Sequence, residues 1–365
     1  MKVANITLHA IDNYGSVLQT LATERIFEQL GCEVLTIDYV RETAQLNSVW
    51  KILKARNLSF VQKGKSLISY LLFRDNERSR ILDNFRKEYL HLTDKRFLSD
   101  NELKDGYPEA EIYCTGSDQT WNVVCQGGVP RPFFLDFAPA GTKKIAFAAS
   151  FGIETIPEIF QSEVKELLSH YDAISVREQT GVDILHKLGF DATLVLDPTL
   201  AVDPLFWHEF ASPRLYDEDY ILAYQLGRNL SFTKYMKDLA DYHNLKLIHV
   251  RTRQDTKINN GECLTAPSPQ DFLSLIKYAK YVITDSFHCT AYSIMFNRNF
   301  VNIMPARFTS RIEDILKITG LTDRILHNYN DFKLCEKPID YKPIDIWLNK
   351  EREKTISFLK NAISI

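Results

Sequence analysis

The chain has 365 residues, 45% of them hydrophobic and 25% charged, with a formal net charge of −3 at pH 7. That length suggests two globular domains of ordinary size. The near-neutral charge balance gives no reason to expect nucleic acid as a partner.

Lys2 to Leu8 reads as a first strand, followed by a polar turn through Asn13, Tyr14 and Gly15 and a helix from about Ser16 to Leu30. Gly31 is suited to closing that helix. Glu33 to Tyr39 is a second strand, and β-loop-α-β is the opening of a doubly wound domain. The loop carries one glycine, so a dinucleotide fingerprint is absent, and no P-loop pattern occurs anywhere.

Residues 41–96 break the alternation with a helical insertion carrying 13 Lys or Arg against 6 Asp or Glu. Trp50, Leu53, Phe60, Tyr70 and Phe73 are interleaved with that charge. We favour helices packed on the domain with solvated lysines outside. The sharper reading is a surface for anionic lipid or a lipid-linked phosphate, in peripheral contact with the membrane.

Glu111 to Gly116 is a short strand running into Ser117, Asp118, Gln119, Thr120, Trp121 and Asn122. An aromatic ring among hydroxyl, amide and carboxylate groups is what a sugar site requires; plain turn and N-cap roles are the bland alternative. Lys143 to Ser150 is the next strand. Tyr171 to Val176 is another, delivering Arg177 to its carboxyl end, where an arginine grips a carboxylate or phosphate or else makes a surface ion pair. Asp191 to Leu196 completes this half, closed by Asp197 and Pro198.

The boundary falls near Leu200 to Asp203. The second half repeats the pattern, with strands at Tyr220 to Leu226 and Leu245 to Val250 and a loop from Arg251 to Glu262. Tyr281 to Thr284 is a buried strand ending at Asp285 and Ser286, both N-cap types, and a helix follows with His288 in its first turn. Backbone N–H groups and a positive dipole end make such a junction ready for an anion. Thr309, Ser310 and Arg311 open a second helix of that kind. A helix from Ile344 to Ala362 packs back on the body. The expected units are therefore 1–200, with the insertion 41–96; 201–343; and 344–365.

The six cysteines are far apart with no C-x-x-C, which argues against a zinc ribbon or redox pair, and no His/Asp cluster has ligand spacing, so no metal is expected. With no run of 18 apolar residues and no charged-then-apolar leader at the start, a cytoplasmic location is expected, peripheral at the inner membrane face on the lipid reading.

The order of motifs resembles the polysaccharide pyruvyl transferase family over nearly the whole chain. The motifs are the Asn13-Tyr14-Gly15 loop, Gly116 to Asn122, Ala146 to Ser150, Ser175 to Glu178, Asp197-Pro198-Thr199, Thr284 to His288, and Ser310-Arg311. The resemblance implies an α/β fold of two Rossmann-like domains facing a cleft, similar to GT-B glycosyltransferases. It implies transfer of pyruvate from phosphoenolpyruvate to two hydroxyls of a sugar, a hexose such as galactose as its 4,6-ketal, in surface polysaccharide biosynthesis. No cofactor is implied; the partners are phosphoenolpyruvate and a sugar acceptor, free or lipid-linked.

The family's strand-end arginine matches Arg177 and its junction histidine matches His288. Many members carry Arg just before that histidine. Here Ser286 and Phe287 stand there, leaving Arg177 and Arg311 to hold the donor carboxylate. The expected catalytic residues are His288 as general acid or phosphate donor, Arg177, and Asp118 as base. Ser286, Thr309, Ser310 and Arg311 join Arg177 and His288 around the donor. Asn13, Tyr14, Ser117, Asp118, Gln119, Trp121 and Asn122 are expected around the acceptor. An inverting GT-B glycosyltransferase using a nucleotide sugar, and a non-catalytic sugar- or lipid-binding protein, stay open beside this reading.

Overall fold

The computed structural model describes residues 1–41, 77–227, 229–251, 261–306 and 309–364. The N-terminal half comprises β1 (Lys2–Ile6), α1 (Tyr14–Gln29), β2 (Glu33–Thr36), α2 (Glu77–Tyr89), α3 (Asp100–Gly106), β3 (Ile112–Thr115), α4 (Val123–Gln126), β4 (Lys143–Ala149), α5 (Glu158–Leu168), β5 (Ala173–Val176), α6 (Gln179–Leu188) and β6 (Thr193–Leu194). Short helices α7 (Pro198–Ala201) and α8 (Pro204–Phe210) connect it to the rest. The C-terminal half comprises β7 (Tyr220–Gln225), α9 (Leu230–His243), β8 (Lys246–Arg251), β9 (Gly261–Leu264), α10 (Pro269–Lys277), β10 (Tyr281–Thr284), α11 (Phe287–Met295), β11 (Asn299–Asn302) and α12 (Ser310–Ile318). A long helix, α13 (Tyr341–Ile363), comes last.

All strand pairs are parallel. The first sheet has the order β2-β1-β3-β4-β5-β6 and the second β11-β10-β7-β8-β9. Strands such as Tyr281–Thr284 are buried on both faces, as the β-branched run at Val282 to Thr284 predicts for a parallel sheet covered by helices. In each sheet the order turns back on itself once, between β1 and β3 and between β7 and β10. Chain leaving the carboxyl ends of those neighbouring strands must diverge to opposite faces, which opens a crevice there.

The two halves share one apolar core. Tyr14, Val17 and Leu18 of α1 pack with Phe272 and Leu273 of α10, Tyr224 of β7, and Leu348 and Leu359 of α13. Helix α13 is tied to the first half by Leu196 N donating to Thr355 Oγ1 (3.1 Å) and by Arg352 Nε donating to Leu200 O (2.8 Å). It begins three residues ahead of the expected Ile344, because Asp340 caps it by accepting from Lys342 N. Residues 251–262, expected as loop throughout, end in β9, whose Gly261–Leu264 pair in register with Leu247–Val250. The expected boundary at 200–203 falls on the connecting helices α7 and α8.

Of the basic insertion, 42–76 lie outside the described residues. Helix α2 is amphipathic, with Leu82 and Phe85 in the core. Its Arg86 is only 3% exposed and braces the loop after β1. Nε donates to His9 O (2.8 Å), and Nη2 to Ile11 O (2.9 Å) and Asp12 Oδ1 (3.1 Å).

Candidate active site

A cavity of about 510 Å³ lies where the carboxyl ends of the two sheets face each other. It falls within the roughly 300–1,000 Å³ typical of ligand sites. Its walls come from the two divergence points. Asn13 and Ser16 follow β1, Asp118 and Gln119 follow β3, Leu226 and Gly227 follow β7, and Asp285 to His288 follow β10. Arg311 at the start of α12 completes it.

His288 stands in the first turn of α11, whose N-cap Ser286 accepts from Cys289 N. The ring reaches across the cleft and lies on the backbone of Gly15, so closely that a Cβ there would sit 2.1 Å from Nδ1. Nε2 is buried, makes no hydrogen bond among the described residues, and lies 3.8 Å from Asp197 Oδ2. Burial drives the imidazole pKa down to about 4, with Arg177 and Arg311 adding to the effect and Asp197 and Asp118 opposing it. His288 is thus neutral at pH 7 with nothing bound.

Beneath it lies a buried charge network. Arg177 leaves the end of β5 with its side chain fully enclosed. Nη1 donates to Asp197 Oδ2 (2.5 Å) and Ser117 Oγ (3.1 Å), and Nη2 to Asp118 Oδ1 (3.2 Å). Burial disfavours this guanidinium's charge, but Asp197 and Asp118 outweigh that and raise its pKa. Asp118 adopts a left-handed backbone (φ 77) at the exit of β3, turning its carboxylate inward. Ser16 Oγ donates to its Oδ2 (2.7 Å) and Gln119 N to its Oδ1 (2.9 Å). Burial would raise the Asp118 pKa, yet Arg177, then His288 and Arg311, hold it far below the usual carboxylate range. Asp197 is lowered in the same way, chiefly by Arg177 against burial. A carboxylate so stabilised is a poor proton acceptor, which argues against Asp118 as a general base.

Phe287, also in the cavity wall, lies between the two arginines, its ring 5.0 Å from the Arg177 guanidinium and 5.6 Å from that of Arg311. Arg311 abuts the Gln119 amide, and its Nη1 is 3.9 Å from Asp118 Oδ1. Asp285 turns into the loop after β7, where its oxygens accept from Leu226 N (2.7 Å) and Gly227 N (2.9 Å).

Six of the expected residues therefore line the cavity: Asn13, Asp118, Gln119, Ser286, His288 and Arg311. The others do not. Trp121 is fully buried, stacked on Phe134, and its Nε1–H donates to Phe133 O, so its ring builds the core and offers no face to a sugar. Tyr14 is locked between the halves, stacked on Phe272 with its hydroxyl donating to Pro267 O (2.7 Å). Asn122 caps α4, and Ser117 is spent on Asp197. Thr309 and Ser310 start α12 outside the cavity wall, Thr309 making no cap hydrogen bond. Arg177 lies below the wall with its fork on Asp197, Ser117 and Asp118, while its Nε makes no hydrogen bond among the described residues, so it holds the site together from beneath.

Gly15, Ser16, Asp197, Asp285 and Phe287 were named in the sequence reading but given no place among the expected site residues. Asp197 had a signal, a carboxylate before proline at a strand end. Gly15 had the weaker one of a lone glycine after β1.

Residues 13–306 match the family model described as Polysaccharide pyruvyl transferase. No curated protein matches the chain by sequence. Among solved structures the chain is similar to S. aureus MnaA in a co-structure with UDP (11% identity, 98% of this chain and 91% of that one, TM-score 0.52). It is also similar to the Methanocaldococcus jannaschii UDP-GlcNAc 2-epimerase in complex with UDP-GlcNAc and UDP (13% identity, 99% and 100%, TM-score 0.51). A third likeness is to the Neisseria meningitidis UDP-GlcNAc 2-epimerase bound to UDP-GlcNAc (10% identity, 98% and 94%, TM-score 0.50). At such identities the likeness is one of fold: α/β, with two Rossmann-like domains in a GT-B-like arrangement.

Proposed function

The chain belongs to the polysaccharide pyruvyl transferase family, and from that premise we propose that the cleft transfers pyruvate from phosphoenolpyruvate onto two hydroxyls of a hexose, forming a cyclic ketal. Galactose as the 4,6-ketal is our first choice of acceptor, within a growing surface polysaccharide, free or lipid-linked. The observation that carries the reading is His288, held neutral over Gly15 and beside Arg311, where both sheets end.

Phosphoenolpyruvate brings a carboxylate and a phosphate. Arg311 and the start of α11 supply positive potential for them on the C-terminal side. Asn13, Ser16 and Gln119 supply donors and acceptors for sugar hydroxyls on the N-terminal side. The donor's negative charge raises the affinity of His288 for a proton. A neutral imidazole takes the proton of the first sugar hydroxyl as its oxygen attacks C2, and the methylene carbon C3 is protonated to a methyl. The C2–O bond to phosphate then breaks, and the second hydroxyl adds to C2 while its proton goes to the departing phosphate. The two hydroxyl protons thus end on the methyl group and on inorganic phosphate, so no proton is consumed overall. His288 is the relay in this scheme, base first and acid second. Asp197 lies 3.8 Å from its Nε2 and favours the protonated ring, and Asp118 stays ionised as the partner of Arg177.

Asp285 favours this donor over a nucleotide sugar. It already occupies the two backbone N–H groups after β7, so they are not open to the second phosphate of a diphosphate.

The test is incubation with phosphoenolpyruvate and galactose, mannose and glucosamine glycosides, following phosphate release and the ketal product. Turnover of a nucleotide sugar with no response to phosphoenolpyruvate would replace this reading with glycosyl transfer. Saturable sugar binding without turnover of either donor would leave a binding protein.

A further inference from the structure

A second concavity, of about 300 Å³, opens on the N-terminal half. Tyr39 and Arg41 after β2, Asp100 and Asn101 at the start of α3, and Pro130 and Pro132 form its walls. Helix α4 and the pair Gly127-Gly128, both at positive φ, separate it from the catalytic cleft. The partition is shared: Arg41 Nη2 donates to Gln126 O (2.8 Å), while Gln126 lines the cleft and its side chain donates to Gln119 O (3.3 Å).

The chemistry of these walls suits a neutral saccharide. Half-buried Val129 gives apolar surface beside the buried Pro130 and Pro132, and Asp100, Asn101 and Arg41 give an acceptor, a mixed amide and a donor fork. The Tyr39 hydroxyl donates to Asp100 Oδ1 and fixes that carboxylate. One guanidinium against one carboxylate leaves no excess charge to attract a phosphate.

We propose that this concavity is a subsite for the sugar units neighbouring the pyruvylated one in an oligosaccharide acceptor, the chain passing over α4. The inference rests on the pyruvyl-transfer reading. An acceptor that is a polymer extends past a single cavity, and this polar hollow shares a wall with it.

The experiment compares wild type with Asp100→Asn/Asn101→Ala and with Arg41→Ala. Acceptors are the glycoside that turns over in the panel and oligosaccharides of two to four sugars ending in the same unit. The expected result is a wild-type kcat/KM that rises with length, and a long-to-short ratio that falls about tenfold in the variants. A ratio that is independent of length in wild type, or unchanged in the variants, overturns the subsite. A glycan array on the same proteins keeps this separate from the chemistry. Glycans longer than one sugar that are retained by wild type and lost by the variants support the subsite even if no pyruvate moves. Identical binding, or no glycan binding by wild type, overturns it.

Discussion

Gly15 and His288 come from opposite halves of the molecule, and the imidazole of one occupies the space where a side chain on the other would begin. The contact makes the first βα loop a template for the histidine of the second domain. Gly15→Ala puts a methyl group 2.1 Å from Nδ1, so the ring must move. Turnover should fall by about 10²–10⁴, as for loss of a proton-transfer group in His288→Gln. Stability should fall by about 1–3 kcal/mol from overpacking. Adding His288→Ala to Gly15→Ala should recover that stability, read by denaturant unfolding in a double-mutant cycle. Strictly additive losses would show that the two residues do not compete for one space.

His288 also gives the fold a pH dependence. Its pKa is about 4 in the folded protein and about 6.5 when unfolded. Between those values the unfolded chain binds a proton that the folded chain refuses. Stability from this group is complete above about pH 6.5 and is lost as pH falls toward 4. Unfolding of wild type and His288→Gln at pH 7 and pH 5 measures it: wild type should lose more stability between the two. Equal losses would mean that the ring is not held neutral.

Arg177 and Arg311 should separate in kind. Arg177 is enclosed with two carboxylates and a hydroxyl on its fork, so Arg177→Ala leaves buried anions unpaired and should cost roughly 3–5 kcal/mol. Arg177→Lys keeps the charge but loses the fork and should also destabilise. Arg311 lines the cavity, so Arg311→Ala should weaken phosphoenolpyruvate binding about tenfold or more with a smaller change in melting temperature. Calorimetric titration beside thermal unfolding decides it. A folded Arg177→Ala with specifically lost donor affinity would reverse the two assignments.

The sequence carried the architecture because parallel strands buried on both faces leave runs such as Tyr281 to Thr284, and a helix cap such as Ser286 marks where a strand hands over to a helix. Asn13, read as part of a turn, proved to cap α1, which begins two residues ahead of the expected start at Ser16. It also placed His288, since a junction motif is local. What it could not show is direction. Trp121 and Asp118 sit three residues apart in one polar loop, yet a positive φ at Asp118 turns the carboxylate toward Arg177 while the indole goes into the core behind it. Arg177 looked like a ligand grip because its partners Asp118 and Asp197 are 59 and 20 residues away in the chain. Pairings of that kind depend on tertiary structure that periodicity does not encode.

The basic insertion makes the last test, because it raises two separable questions. Arg86 on α2 ties down His9, Ile11 and Asp12, and Ile11 and Asn13 of that loop line the cavity. Arg86→Met keeps the apolar stem and removes the ties. The rim should loosen, raising KM for the sugar more than it lowers kcat, with a stability loss of about 1–3 kcal/mol, chiefly for the His9 carbonyl that loses its partner, since Ile11 O keeps Asn13 N. Lys51, Lys54, Lys63 and Lys65 lie outside the described residues and carry the lipid-surface proposal instead. Changing all four to Glu should leave turnover of short soluble glycosides as it was. Sedimentation with anionic vesicles should drop, at about 1 kcal/mol per basic residue near the surface, and most at low salt, where screening is weakest. If the lysine variant sediments like wild type, the insertion's charge is a solvated face. If Arg86→Met leaves KM unchanged, α2 does not set the shape of the cavity rim.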